Sequence, residues 1–94
     1  MSEKSIVEVR SRISDIISES TDYSASDLQE RQGDHLHKDL NIDSLTLLEV
    51  ALSIDQEFET DFSEEELLGM ESIDRAADMV MERLESLKAG APVG

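Results

Sequence analysis

The residues with the most chemistry in the smallest space lie between His35 and Ser44, where His35, His37, Asp39, Asp43 and Ser44 fall close together. A serine, a histidine and a carboxylate are the parts of a nucleophilic triad, with His35 or His37 as base and Asp39 or Asp43 as its orienter. The surroundings argue against that use. No Gly-x-Ser-x-Gly elbow frames Ser44, no glycine-rich stretch offers an oxyanion hole, and a chain of 94 residues leaves little room for a substrate cleft. His35 and His37 alternate around Leu36, a spacing that turns both toward solvent. Glu57, Glu59, Asp61 and Glu64 to Glu66 gather charge that attracts divalent cations. They lack the glycine-centred spacing of a calcium loop, so no dedicated metal site is expected. There is no cysteine to serve as nucleophile, metal ligand or disulfide partner. Met70, Met79 and Met81 read as adaptable core packing. No catalytic residue is expected, and Ser44 needs another reading.

That reading comes from the element Ser44 opens. With Ser44 at the start of a helix and about 100° per residue, Leu47, Val50, Ala51, Ile54 and Phe58 fall within about 100° of one another, a core-facing stripe of ordinary width. Leu45, Leu48 and Leu52 gather on a separate face about 140° further round, among Glu49, Asp55, Gln56 and Glu59. A helix in a small domain needs one apolar stripe. A second one, ringed by carboxylates and beginning beside a serine, predicts a docking surface.

Asp43-Ser44-Leu45, preceded by Asp39-Leu40 and followed by an acidic helix ending near Glu57-Phe58, resembles the acyl carrier protein family. The similarity runs from about Ile6 to Leu87, and from Asp43 to about Ile73 it needs no gap. One departure is Asn41, where the family usually has glycine. That suggests a backbone position with φ > 0, and asparagine is the next most tolerant residue there. The resemblance implies an all-α four-helix bundle with three long helices and one short one. It implies a 4′-phosphopantetheine arm joined to Ser44 through a phosphodiester by a separate phosphopantetheinyl transferase. It also implies that the arm's thiol holds acyl groups as thioesters and presents them to enzymes of fatty-acid or polyketide synthesis, while the protein itself makes no bond. On this reading Asp43, Leu45, Leu48, Glu49, Leu52, Asp55, Gln56 and Glu59 form the face that meets basic patches on acyl-transferring, condensing and modifying enzymes. A phosphate on Ser44 would sit at the positive end of a helix, near free backbone N–H groups. Two alternatives stand beside it. An aminoacyl or peptidyl carrier usually has glycine-rich residues before the serine, where this chain has Ile42-Asp43. An unmodified acidic helical adaptor would offer Leu45, Leu48 and Leu52 to a partner groove.

The bulk properties agree with a carrier. Eight basic against 23 acidic residues give a net charge of −15, which counts against nucleic acid or an anionic membrane surface as partner. From Asp39 through Asp74 there are twelve carboxylates and no Lys or Arg. No apolar run approaches membrane-spanning length, and Met1-Ser2-Glu3-Lys4 lacks a secretory pattern. A monomeric cytoplasmic protein of one domain over residues 1–88, with residues 89–94 as a flexible tail, is the expectation, and the Met1 start favours a free-standing protein.

The elements follow from spacing and caps. Ile6, Val9, Ile13, Ile16 and Ile17 predict a helix over about 4–19, capped by Ser2 or Ser5 and supported by an i,i+4 pair of Glu8 with Arg12. Residues 20–41 form a long connection anchored by Leu28, Leu36 and Leu40, with a helical turn near Ser24 to Leu28. Asp43 caps a helix over 44–59. Ser63-Glu64-Glu65-Glu66 is a capping box opening a short helix over 64–68 that stops before Gly69. Ser72 caps a last helix over 73–88, with Ile73, Ala76, Ala77, Val80, Leu84 and Leu87 as its buried stripe.

Overall fold

The computed structural model describes residues 5–90, with side chains described as far as Ser86. Those residues form three long helices, α1 (Ile6–Ser20), α3 (Ser44–Phe58) and α5 (Ile73–Gly90), and two short ones, α2 (Ala25–Gln29) and α4 (Glu64–Leu68). The fold is an all-helical bundle, as expected, with the turn anticipated near Ser24 to Leu28 as a fifth helix. The first helix begins later than its apolar pattern suggested, at Ile6, because Ser5 caps it. The Ser5 hydroxyl accepts from the Glu8 N–H, and the Glu8 carboxylate accepts from the Ser5 N–H. Glu8 is therefore turned to the cap, and the expected Glu8–Arg12 pair is not formed. Ser2, the other cap candidate, lies outside the described residues, as do the last four residues of the expected tail. Helix α5 runs to Gly90, two residues past the expected 88. Leu87's place on its buried stripe lies beyond the described side chains.

The remaining helix starts repeat the same local chemistry. Ser24 caps α2, Asp43 caps α3, Ser63 and Glu66 form a capping box on α4, and the Ser72 hydroxyl accepts from the Arg75 N–H. Each cap satisfies an N–H that the helix itself leaves without a partner. Helix α3 ends at Phe58 and is capped by Glu59, whose left-handed backbone (φ 53°) turns the chain out of the helix. The core is one cluster. Val9, Ile13, Ile16 and Ile17 of α1 meet Val50, Ala51, Ile54 and Phe58 of α3 and Ile73, Ala76, Ala77 and Val80 of α5. Helix α1 packs against α2, α3 and α5 and so forms the spine of the bundle. Leu28, Leu36, Leu40 and Ile42 pin the long connection into that core, each burial worth about 1.5–3 kcal/mol. Two backbone hydrogen bonds strap the connection across the start of α5: Leu36 N–H to the Glu71 carbonyl at 2.8 Å and Asp74 N–H to the Gln32 carbonyl at 3.0 Å. Its length is used to carry the chain over the bundle and deliver it to α3.

Arginines from α1 and α5 reach the acidic run from Asp39 to Asp74. Arg12 bonds Glu57 at 3.1 Å, Arg83 bonds Glu66 at 2.7 Å, and Arg10 lies 3.4 Å from Asp74 as an ion pair without a well-formed hydrogen bond. Run and counter-charge are far apart in sequence and adjacent in the fold.

Candidate functional site

Ser44 is presented by a tight piece of chain. Residues 36–40 form a single helical turn whose start is capped by His35: its Nδ1 accepts from the His37 and Lys38 N–H groups, both at 3.1 Å. The Asp39 carboxylate accepts in return from the His35 N–H at 2.8 Å. Ile42 N–H closes the turn onto the Leu36 carbonyl. Asn41 then takes φ 62°, the left-handed conformation expected where the resemblance would place glycine. Two side chains hold the bend. The Tyr23 hydroxyl donates to the Leu40 carbonyl at 2.9 Å, and His37 Nδ1 lies 2.7 Å from the Ile42 carbonyl. His35 and His37 thus do more than face solvent: His35 is half-buried, and both rings are spent on this loop.

Asp43 caps α3 by accepting the Thr46 N–H at 2.8 Å, and its backbone carbonyl accepts the Leu47 N–H. The backbone and side chain of Thr46, followed by the Leu45 N–H and the charge of His37, hold the Asp43 carboxyl below the usual carboxylate range. An anion on Ser44 would therefore share the positive end of α3 with the Asp43 carboxylate, which takes the Thr46 N–H. Ser44 follows as the first helical residue. It is exposed, and its hydroxyl has no hydrogen-bond partner among the described residues. A phosphodiester fits there without displacing any bond, and solvent surrounds it.

Beyond Ser44 the outer face of α3 carries Leu45, 68 % exposed, and Leu52, 43 % exposed, with Leu48 half-buried between them. Glu49, Gln56 and Glu59 are exposed on the same helix. Asp55 is different. One of its carboxylate oxygens accepts the Thr60 hydroxyl at 2.6 Å and the Phe62 N–H at 3.1 Å. It fastens α3 to the segment leading into α4, and its charge is half-buried. Leu68 on α4, 62 % exposed, is a further apolar residue that periodicity did not single out. Nor did the sequence point to Tyr23, or to this role for His37, because each acts on a carbonyl that only the folded loop brings near. Among the described residues no group of three or more His, Asp or Glu is placed to hold a metal ion, and no helix is long and apolar enough to cross a membrane. Between α1, α3 and α5 one cavity of about 10 Å³ lies beside Leu47, Met70 and Ala76, no more than one water could occupy.

A closed helical bundle that offers one unpartnered serine at a helix start, beside a leucine-and-carboxylate face, has the architecture of a carrier. The family profile described as the phosphopantetheine attachment site matches residues 11–80, and the chain belongs to that family. It is a carrier whose prosthetic group is covalently bound 4′-phosphopantetheine. No curated protein matches the sequence.

Proposed function

We propose that Ser44 bears the arm and that the protein carries acyl intermediates for fatty-acid or polyketide synthesis. The observation that carries the site assignment is the state of the serines within the matched residues. Ser14 and Ser18 donate to carbonyls of their own helix, and Ser24, Ser63 and Ser72 are spent as caps. Of those left, Ser11, Ser20, Ser26, Ser44 and Ser53, only Ser44 opens a long helix beside an exposed leucine face. The bound arm supplies a thiol that forms thioesters with acyl groups. The chain's own contribution is to hold the Ser44 hydroxyl clear of hydrogen bonds, to fix it with the Asp43 cap, and to offer a docking face. Tethering replaces free diffusion of the cargo with a high effective concentration at each docked enzyme. Exposed carboxylates meeting Lys and Arg speed encounter without making release slow. Ile42-Asp43 before the serine, in place of glycine, favours acyl over aminoacyl or peptidyl cargo.

The test is intact mass after incubation with coenzyme A and a broad-specificity phosphopantetheinyl transferase. The wild type should gain one arm, and Ser44→Ala should gain none while keeping its helical circular dichroism. An arm on Ser44→Ala would place the attachment elsewhere. Loading of the armed protein should then proceed from malonyl donors with an acyltransferase and fail with an amino-acid adenylating enzyme. The opposite selectivity would make it a peptidyl carrier.

A further inference from the structure

We infer that Tyr23 and His37 are positioning residues for arm transfer: together they hold the left-handed bend at Asn41, and through it the angle at which Ser44 meets the transferase. The inference rests on Ser44 as the acceptor. The Leu40 and Ile42 carbonyls flank Asn41 on either side, and each is held by a side chain from outside the bend, by Tyr23 Oη at 2.9 Å and by His37 Nδ1 at 2.7 Å. A carbonyl can only accept, so the proton between His37 and Ile42 resides on Nδ1, as it does in both the charged ring and one neutral tautomer. Leu40 and Ile42 are themselves buried anchors, which leaves the peptide groups around exposed Asn41 as the adjustable part of the turn. Asparagine tolerates φ 62° less readily than glycine does. A bend built on it gains from outside support, and these two bonds provide it. Tyr23 reaches the bend from the segment that follows α1, so the presentation of Ser44 is tied to the spine of the bundle. His37 reaches it from the turn just before, so both ends of the bend are fixed.

The experiment compares Tyr23→Phe, His37→Leu, the double variant and His37→Asn. Asparagine places an amide N–H close to where Nδ1 stands and is the conservative rescue. Transferase kinetics with the unarmed protein should show KM raised about two- to tenfold in Tyr23→Phe and in His37→Leu, the factor to which one ordinary hydrogen bond converts. The turnover at saturation should change less, and His37→Asn should recover most of the loss. A second readout needs no transferase. Amide hydrogen exchange at Asn41 and Ile42, which donate to His37 and Leu36, should quicken in the variants, while core amides at Ile13 and Val80 keep their protection. Unchanged KM in the double variant would overturn the inference. So would core amides that exchange faster in step with the loop, since that would make the two residues general stabilisers. If the wild type took its arm on a residue other than Ser44, the site assignment itself would fall, a result read separately by mass mapping.

Discussion

Asp43 performs two tasks at the start of α3: its carboxylate replaces a missing helix bond at Thr46, and its position fixes Ser44 as the first helical residue. Glu66 does the corresponding work on α4, accepting the Ser63 N–H and the Arg83 guanidinium. Both carboxyls are held below their ordinary values of 3.8 and 4.5, Asp43 chiefly by the Thr46 N–H and Glu66 chiefly by the Ser63 N–H, with Arg83 assisting. The fold therefore favours the ionised forms more than the open chain does. That stabilisation is complete at neutral pH, above the unfolded-state values, and is lost as the pH falls through the lower folded-state values. Thermal melts from pH 7 downward should show the midpoint dropping most steeply in the acid range below those ordinary values. Asp43→Asn/Glu66→Gln should begin with a lower midpoint at pH 7 and decline less steeply. An equally steep decline would assign the acid limb to other carboxylates.

At the scale of the element, α3 has one face that the core explains and one that it does not. Glu49 and Glu59 stand exposed beside Leu45 and Leu52 with no ion pair among the described residues, whereas Asp55 is engaged with Thr60 and Phe62. A charge-reversal test of docking therefore belongs on Glu49→Lys/Glu59→Lys and leaves Asp55 in place. Reversing Asp55 would undo the link to α4 and confuse docking with folding. The pair should slow arm transfer several-fold in low salt, with the deficit shrinking near physiological ionic strength, where the Debye length is about 8 Å. Glu82→Lys/Glu85→Lys on α5 should have a smaller effect, and equal losses would mean that net charge rather than the α3 face steers recognition. What the sequence made legible here was the local chemistry. The caps at Asp43, Ser63 and Ser72, the stop at Gly69 and the left-handed Asn41 all depend on residues a few positions apart. The apolar stripes were legible because burial repeats with the helix turn. The Tyr23 bond and the Arg12–Glu57 pair were not, since each joins residues far apart in sequence that meet only after the bundle has closed. The Asp55 fastening and the His37 bond span only five to seven residues, but they depend on loop conformations that neither periodicity nor a capping pattern signals.

The whole molecule must hold a net charge of −15 in a compact shape. Repulsion among carboxylates is greater in the fold than in the open chain, and this favours unfolding. Read along the chain, nothing relieves the twelve acids between Asp39 and Asp74. In space Arg10, Arg12 and Arg83 do so at Asp74, Glu57 and Glu66. Arg83 is the most heavily used, since it also donates to the Asp61 carbonyl at 2.8 Å and lies 4.7 Å from the centre of the Phe62 ring. Glu49, Glu59, Asp61, Glu64, Glu65 and Glu71 have no ion pair among the described residues. Added salt weakens the few attractive pairs and the more numerous repulsions together, so the repulsive majority decides the sign and the melting midpoint should rise. Mg²⁺ at a few millimolar should raise it further than sodium at equal ionic strength, because a cation that gathers where carboxylates are dense prefers the folded state and stabilises it by mass action. Arg83→Gln removes counter-charge from the middle of the run, so it should melt lower in dilute buffer and gain more from Mg²⁺ than the wild type does. A wild-type midpoint that stays put across several millimolar Mg²⁺ would show that the arginines already balance the fold. In that case Arg83→Gln alone should respond to the ion.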